Sequence, residues 1–284
     1  MKERVCQFGR DLNLVGILTE PEEKDLRADA PMLLMLNAGL LHHVGPHRMS
    51  VELAHRLADK GIRSLRFDIG GYGDSELSTN ADSDETLIVS DIKSAMDFLE
   101  AERNCHIFVL TGLCAGADNS HLASLRDARV VGEVLLDAPG YWTTRSYITH
   151  YLPRMFRPGT WLRFFRRTLF PSKHAPEEHT LLDQELRRPF GPKLQVEREI
   201  QSLVDRGTQM LYVYTGGVAK YYNYPKQFFD MFNGLDPRGK IELEFYPSVD
   251  HTYTFAADRE RMLARVVKWY CSRSWSANRT AALR

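Results

Sequence analysis

Short apolar runs separated by helical repeats constrain this chain more than any other feature. Met32-Leu33-Leu34-Met35-Leu36 is apolar without a break, as expected of a strand buried on both faces. The next segment has Pro46 near its start and Gly61 just past its end. Between them Met49, Leu53, Ala54, Leu57 and Ala58 follow helical spacing. Ile62–Phe67 then reads as a strand, and the stripe Ile88, Ile92, Ala95, Leu99 as a helix. His106–Leu110 reads as a strand, Cys114–Leu125 as a helix and Val130–Leu136 as a strand. This alternation predicts right-handed βαβ units and a mostly parallel sheet, hence an α/β fold. Two further strands, Arg4–Phe8 and Leu12–Leu18, open the chain around the turn residues Gly9-Arg10-Asp11.

The alternation stops at Pro139-Gly140. From Tyr141 to about Arg206 there are helical stretches and no convincing strand. It resumes with a strand over Met210–Tyr214, a helix over Tyr224–Phe232 and a strand over Ile241–Tyr246. A last helix, Ala256–Cys271, turns Met262, Leu263, Val266 and Trp269 inward. Strands on both sides of the break make 141–206 an inserted helical cap. The core is then 1–140 with 207–284, and the tail from Ser272 reads as frayed.

Composition removes several classes of function. Lys plus Arg number 37, as do Asp plus Glu, so a broadly basic coat for nucleic acid is excluded. With 43% hydrophobic residues the chain is ordinary globular material and not a disordered one. No transmembrane segment is expected, because the apolar runs fall far short of the roughly 18 residues a spanning helix needs. The opening Met1-Lys2-Glu3-Arg4 is followed by alternation and not by an apolar leader. Cys6, Cys105, Cys114 and Cys271 lack CxxC spacing, so a reducing cytoplasm is the expected compartment. No cofactor is expected, since Gly70–Gly73 lacks the Gly-Lys-Ser/Thr of a phosphate cradle. No metal is expected either. His42, His43 and His47 are spread across Pro46 and share no helical face.

The informative segment is Gly112-Leu113-Cys114-Ala115-Gly116, between a strand and a helix. It has the G-x-nucleophile-x-G spacing with Cys as nucleophile. Small residues two before and two after let the backbone turn sharply and push the sulfur outward. The turn also sets Cys114 at a helix N-terminus, which favours a thiolate. A thiol needs a base. His251 follows the last strand in Val249-Asp250-His251-Thr252, at the same sheet edge as the nucleophile. The third member is an acid, and the chain order on this type of elbow is nucleophile, acid, His. The usual loop, Thr215 to Tyr221, holds no carboxylate. Asp137, ending the strand after the nucleophile helix, is therefore the candidate, and Asp250 is the alternative acid. The amide of Ala115 and one from the loop Asn37-Ala38-Gly39-Leu40-Leu41 would form an oxyanion hole, with Leu40 the expected donor and Leu41 next.

The whole chain resembles an α/β-hydrolase over about Leu12 to Tyr270. Phe67-Asp68-Ile69-Gly70-Gly71-Tyr72-Gly73-Asp74-Ser75 resembles that family's loop after the fourth strand. Asn37–Arg48 together with Gly112-Leu113-Cys114 is similar to hydrolases associated with exosortase systems, and dienelactone hydrolases share a Cys elbow. The resemblance implies a Cys-nucleophile hydrolase. The Cys and the missing acid after the penultimate strand both depart from the family's commonest pattern.

The expected reaction is acyl transfer through an acyl-thioester on Cys114, with a small-molecule thioester or activated ester hydrolysed. Passing the acyl group to a non-water acceptor, as an acyltransferase or cyclase in biosynthesis, is one alternative. A non-catalytic interaction protein on the same fold is the other. The cap adds a partner expectation. Tyr141–Lys173 carries Arg145, Arg154, Arg157, Arg163, Arg166, Arg167 and Lys173 with no acidic residue, a local charge of +7. Aromatic residues are interleaved with them. An acyl carrier protein docking on Arg163, Arg166 and Arg167 fits that surface, as does an anionic membrane. The oligomeric state, homodimer included, is left open by the sequence.

Overall fold

The computed structural model describes residues 1–77, 84–155 and 191–275. Its strands are β1 (Lys2–Phe8), β2 (Leu14–Glu20), β3 (Met32–Met35), β4 (Ser64–Phe67), β5 (Phe108–Leu113), β6 (Val130–Leu136), β7 (Gln209–Thr215) and β8 (Ile241–Tyr246). The helices are α1 (Met49–Ala58), α2 (Asp84–Arg103), α3 (Ala115–Arg126), α4 (Thr144–Met155), α5 (Lys193–Arg206), α6 (Gln227–Met231) and α7 (Ala256–Cys271). The strands form one eight-stranded sheet in the order β1-β2-β4-β3-β5-β6-β7-β8. β1 and β2 pair antiparallel, β2 meets β4 antiparallel, and the remaining pairs are parallel.

The period of two in the buried strands builds two cores. Leu33 and Met35 of β3 face one side with Val109, Val134, Leu211 and Val213, where α1 and α7 cover them. Met32 and Leu34 face the other side beneath α2. Leu135, Met210 and Tyr212 continue that second face beneath α3 and α5. The apolar stripes predicted for α1 and α7 are the buried ones: Met49, Leu53, Ala54 and Leu57 on the first, Met262, Leu263, Val266 and Trp269 on the second.

Several boundaries move for local reasons. β5 lies further along than expected, because His106 turns its ring to Glu100 and Asn104 while Gly112 and Leu113 still pair with β6. The helix expected from Tyr224 begins at Gln227. Pro225 disfavours helical backbone at the residue before it. α3 begins one residue after Cys114, whose φ of 57° is not helical.

α5 bears on the domain division. Ile200, Leu203 and Val204 are buried against Tyr212 and Met231, in the same layer as Ala117 of α3. That layer belongs to the sheet, so we propose that the inserted segment ends near residue 192 and not at 206. Of the cap's basic residues, Arg145 lies over the Tyr224 ring at 4.7 Å. Arg157, Arg163, Arg166, Arg167 and Lys173 lie outside the described residues, as does the side chain of Arg154. Among the described residues no helix is long and apolar enough to cross a membrane.

Candidate active site

Strand order reverses around β3, with β4 on one side and β5 on the other, so a crevice opens at the carboxyl ends of these strands. Loops from β3, β5, β6 and β8 meet there. They carry Asn37–Leu41, Cys114, Asp137 and His251.

Cys114 has φ 57° and ψ −116°, a backbone conformation that L-residues rarely adopt. Two close approaches hold it. A Cβ on Gly112 would lie 2.2 Å from the carbonyl carbon of Gly116, and a Cβ on Gly116 would lie 2.5 Å from the oxygen of Asn37. Neither clash involves a flexible side chain, so the backbone itself would have to separate. Gly116→Ala is accordingly expected to destabilise the protein by about 1–3 kcal/mol or more, read as a lower midpoint in thermal or urea unfolding. An unchanged midpoint would contradict this packing.

His251 sits on the loop after β8. Its Nδ1 is 2.7 Å from Oδ2 of Asp137. Asp137 is fully buried and is held twice more, since the Thr215 amide donates to Oδ1 and the Thr215 hydroxyl to Oδ2, each at 2.7 Å. The Gly216-Gly217 pair lets the two loops touch. A Cβ on Gly217 would lie 2.3 Å from the His251 amide nitrogen, and one on Gly216 would lie 2.0 Å from the Pro247 oxygen. Burial would lower the pKa of His251. The hydrogen bond to Asp137, followed by the influence of the nearby Cys114 thiol, outweighs it and pushes the imidazole up to about 9. The imidazole therefore links a buried carboxylate on one side to the sulfur on the other.

Asp250 is placed differently. Its carboxylate accepts from the hydroxyls of Thr252 and Thr254 and from both their amides, closing a turn. Burial would raise it, but those bonds hold it below the usual carboxylate range. Among the described residues no hydrogen bond joins it to the His251 ring.

On the opposite side of the crevice, Leu40 is 56% exposed on a loop opened by Gly39 at φ 56°. Among the described residues the amides of Ala38, Gly39 and Leu40 have no hydrogen-bond partner, whereas that of Leu41 donates to the Ala38 oxygen. Ala115 is the first residue of α3, where helix amides lack intrahelical acceptors.

One network was not evident from sequence. Asp68, fully buried after β4, accepts from Asn37 Nδ2 at 2.8 Å, the His43 amide at 2.6 Å, His43 Nδ1 at 2.7 Å and the Asp74 amide at 3.1 Å. Burial would raise its pKa, yet these bonds hold it low. Asn37 in turn accepts from the Ile69 amide and donates to the Leu41 oxygen. The loop after β3 is thereby clamped at both ends. A carboxylate ending a strand just before a Gly-rich turn was the available signal. His43, Asp68 and Asp74 bring three ligand-type atoms within 4.8 Å of one another. The Asp68 oxygens, however, are already taken up in holding this loop. His42 and His43 line a small cavity of about 30 Å³ with Met35, Met49 and Leu113.

No protein-family model matches the chain, and no curated protein matches it in sequence. Solved structures do resemble it. Est1E from Butyrivibrio proteoclasticus aligns with a TM-score of 0.56 at 15% identity, covering 94% of this chain and 97% of that one. The carboxylesterase CesB (YbfK) from Bacillus subtilis aligns at 0.58 and 18% identity, covering 96% and 93%. The meta-cleavage product hydrolase CumD from Pseudomonas fluorescens aligns at 0.54 and 17% identity, covering 91% and 94%. At these identities the likeness is one of fold, and by its strand order, elbow turn and structural neighbours this chain has the α/β-hydrolase fold.

Proposed function

We propose that this protein is an enzyme of acyl transfer, with Cys114 as nucleophile, His251 as acid–base and Asp137 as the orienting acid. The observation that carries the reading is the imidazole of His251, bonded at Nδ1 to a buried carboxylate and facing the Cys114 sulfur. That bond fixes the tautomer and leaves Nε2 for proton transfer at the nucleophile. Neighbours named as a carboxylesterase and a hydrolase are consistent with water as the final acceptor.

A thioester or activated ester is the proposed substrate, because its leaving group is stable enough for a thiolate to displace. The Cys114 sulfur adds to the carbonyl carbon, and the carbonyl oxygen gathers charge facing the amides of Ala115 and Leu40. The bond to the leaving thiolate breaks, and the imidazolium of His251 returns its proton to that group. His251 then takes a proton from water as the water attacks the acyl-cysteine. The carboxylic acid leaves, and the sulfur regains its resting form. Asp137 orients the ring throughout and stabilises the imidazolium.

Intact-protein mass spectrometry after mixing with a panel of acyl-pantetheine thioesters tests this. The wild type is expected to gain the mass of the acyl group transiently and to release the free acid. Cys114→Ala should gain nothing and lose at least about 10³-fold in turnover. Release of an ester or amide when an alcohol or amine is added would assign the acceptor as something other than water. No adduct and no turnover with any thioester or ester would overturn the proposal.

A further inference from the structure

Large apolar side chains normally form the buried side of a helix, and on α4 they form the exposed side. Tyr147, Ile148, Tyr151 and Leu152 each leave about half of their surface in water, while Ser146 is completely buried. Their spacing, i, i+1, i+4 and i+5, places all four on one side of the helix. Trp142 extends that side beyond the helix start. Its ring stacks on Tyr147 with centroids 4.5 Å apart, and Tyr147 lies nearly parallel to Tyr151 at 6.2 Å. None of these residues has a part in the reaction proposed above.

Polar contacts tie the helix to the rest of the chain. The Thr143 hydroxyl caps its start by accepting from the Ser146 amide, and Asn223 Nδ2 donates to the Ser146 oxygen. A helix of 12 residues is marginal by itself, and burial of its apolar side is what usually stabilises it. On α4 that side is left for a partner. Charge indicates which kind. α4 has Arg145 and Arg154 near its ends and no carboxylate. The Arg145 guanidinium lies over the Tyr224 ring, whose hydroxyl donates to Asp230, so its charge is partly met. The charged residues of the neighbouring segment that holds Asn223 and Tyr224 are Lys220, Lys226 and Asp230, again net positive. From 141 to 192 the sequence has nine Lys and Arg against four Asp and Glu, a net +5, and the remainder of the neutral chain is net −5. A second copy of this face would bring like charge to like charge, which disfavours self-association through it.

We infer that α4 docks flat on an anionic lipid bilayer, with Tyr147, Ile148, Tyr151 and Leu152 seated at the headgroup boundary and Trp142 beside them. Amphipathic rings and aliphatic side chains favour that boundary, and anionic headgroups favour a net positive segment. At 12 residues the helix is about 18 Å long, too short to span an apolar layer of roughly 30 Å, so it lies along the surface. An acidic carrier protein would be recognised by several cations on one face, whereas α4 has two, one of them already over Tyr224. A bilayer uses both the apolar side chains and the diffuse charge.

The test is vesicle co-sedimentation of the full-length protein. It needs no turnover, so its outcome is separate from that of the acyl-transfer reading. Vesicles of equimolar phosphatidylcholine and phosphatidylglycerol are expected to bind the wild type at least about tenfold more tightly than phosphatidylcholine alone. Raising NaCl from about 0.1 M to about 0.5 M should remove most of that preference. Ile148→Ser combined with Leu152→Ser, both at exposed positions, should weaken binding to the mixed vesicles about tenfold while the circular dichroism spectrum stays that of the wild type. If the double variant does not fold, Tyr151→Ser takes its place. Equal binding to the two kinds of vesicle, no binding to either, or full binding by a folded variant would each overturn the inference. So would an acidic acyl carrier protein that binds the wild type and not the variant when neither kind of vesicle binds.

Discussion

Asp137→Asn is expected to lower kcat by roughly 10³–10⁴-fold with little change in KM, while Asp250→Asn stays within about twofold of the wild type. The contrast follows from where each carboxylate points. Asp137 holds His251 Nδ1 at 2.7 Å and is itself fixed by the Thr215 amide and hydroxyl. An amide in its place can present its NH₂ to the ring and select the tautomer with the proton on the wrong nitrogen. It also removes the charge that stabilises imidazolium. Asp250 is engaged with Thr252 and Thr254, so losing its charge loosens a turn and leaves the ring in place. Thr215→Val, which removes one donor to Asp137, should cost about tenfold in kcat and shift the acid limb of the pH profile. Steady-state kinetics of the three variants with one thioester separate these roles. Full turnover in Asp137→Asn would exclude Asp137 as the acid.

The second large effect is on stability. His121→Leu is expected to destabilise the protein by about 3–5 kcal/mol at neutral pH. Glu133 is completely buried, and neither of its oxygens has a hydrogen-bond partner among the described residues. Removing His121, at ion-pair distance, takes away a neighbouring cation. The pH dependence has a definite sign. The folded-state pKa of His121 is raised from 6.5 to about 9. The unfolded state gains nothing from this pairing, so the stabilisation is complete below about pH 6.5 and is lost as pH rises through about 9. The gap in urea stability between wild type and His121→Leu should therefore narrow from pH 7 to pH 10. Adding Glu133→Gln to His121→Leu should recover part of the loss, because the buried charge is gone. A single variant as stable as the wild type would remove the pair from the stability account.

The elements of the core were readable because their signals are local. Val130–Leu136, Ile241–Tyr246 and Ala256–Cys271 were expected at the bounds the fold has, since each is a mostly apolar segment or an amphipathic repeat. Edges near proline and near the strained Cys114 backbone moved by one to a few residues, as caps and turns depend on neighbours. The Cys114 turn was readable for the same local reason: glycine is needed two residues to either side. α5 was harder. It fell in the insertion because no convincing strand is readable from Tyr141 to about Arg206, and its packing on Tyr212 and Met231 is a contact that the sequence does not reveal.

What the sequence by itself determined is the α/β class, the elbow at Cys114 and the placing of His251 after the last strand. Each follows from periodicity or from the backbone freedom of a few residues. Tertiary structure alone decided which carboxylate faces His251, because Asp137 and Asp250 differ in the direction of their side chains and not in residue type. It also decided that Asp68 clamps the loop after β3 and that His121 stands between Glu133 and Glu199. Those contacts join residues far apart in the chain. A hydrogen bond or a buried charge has an energy only at a distance, and the distance exists only once the sheet has brought the strand ends together.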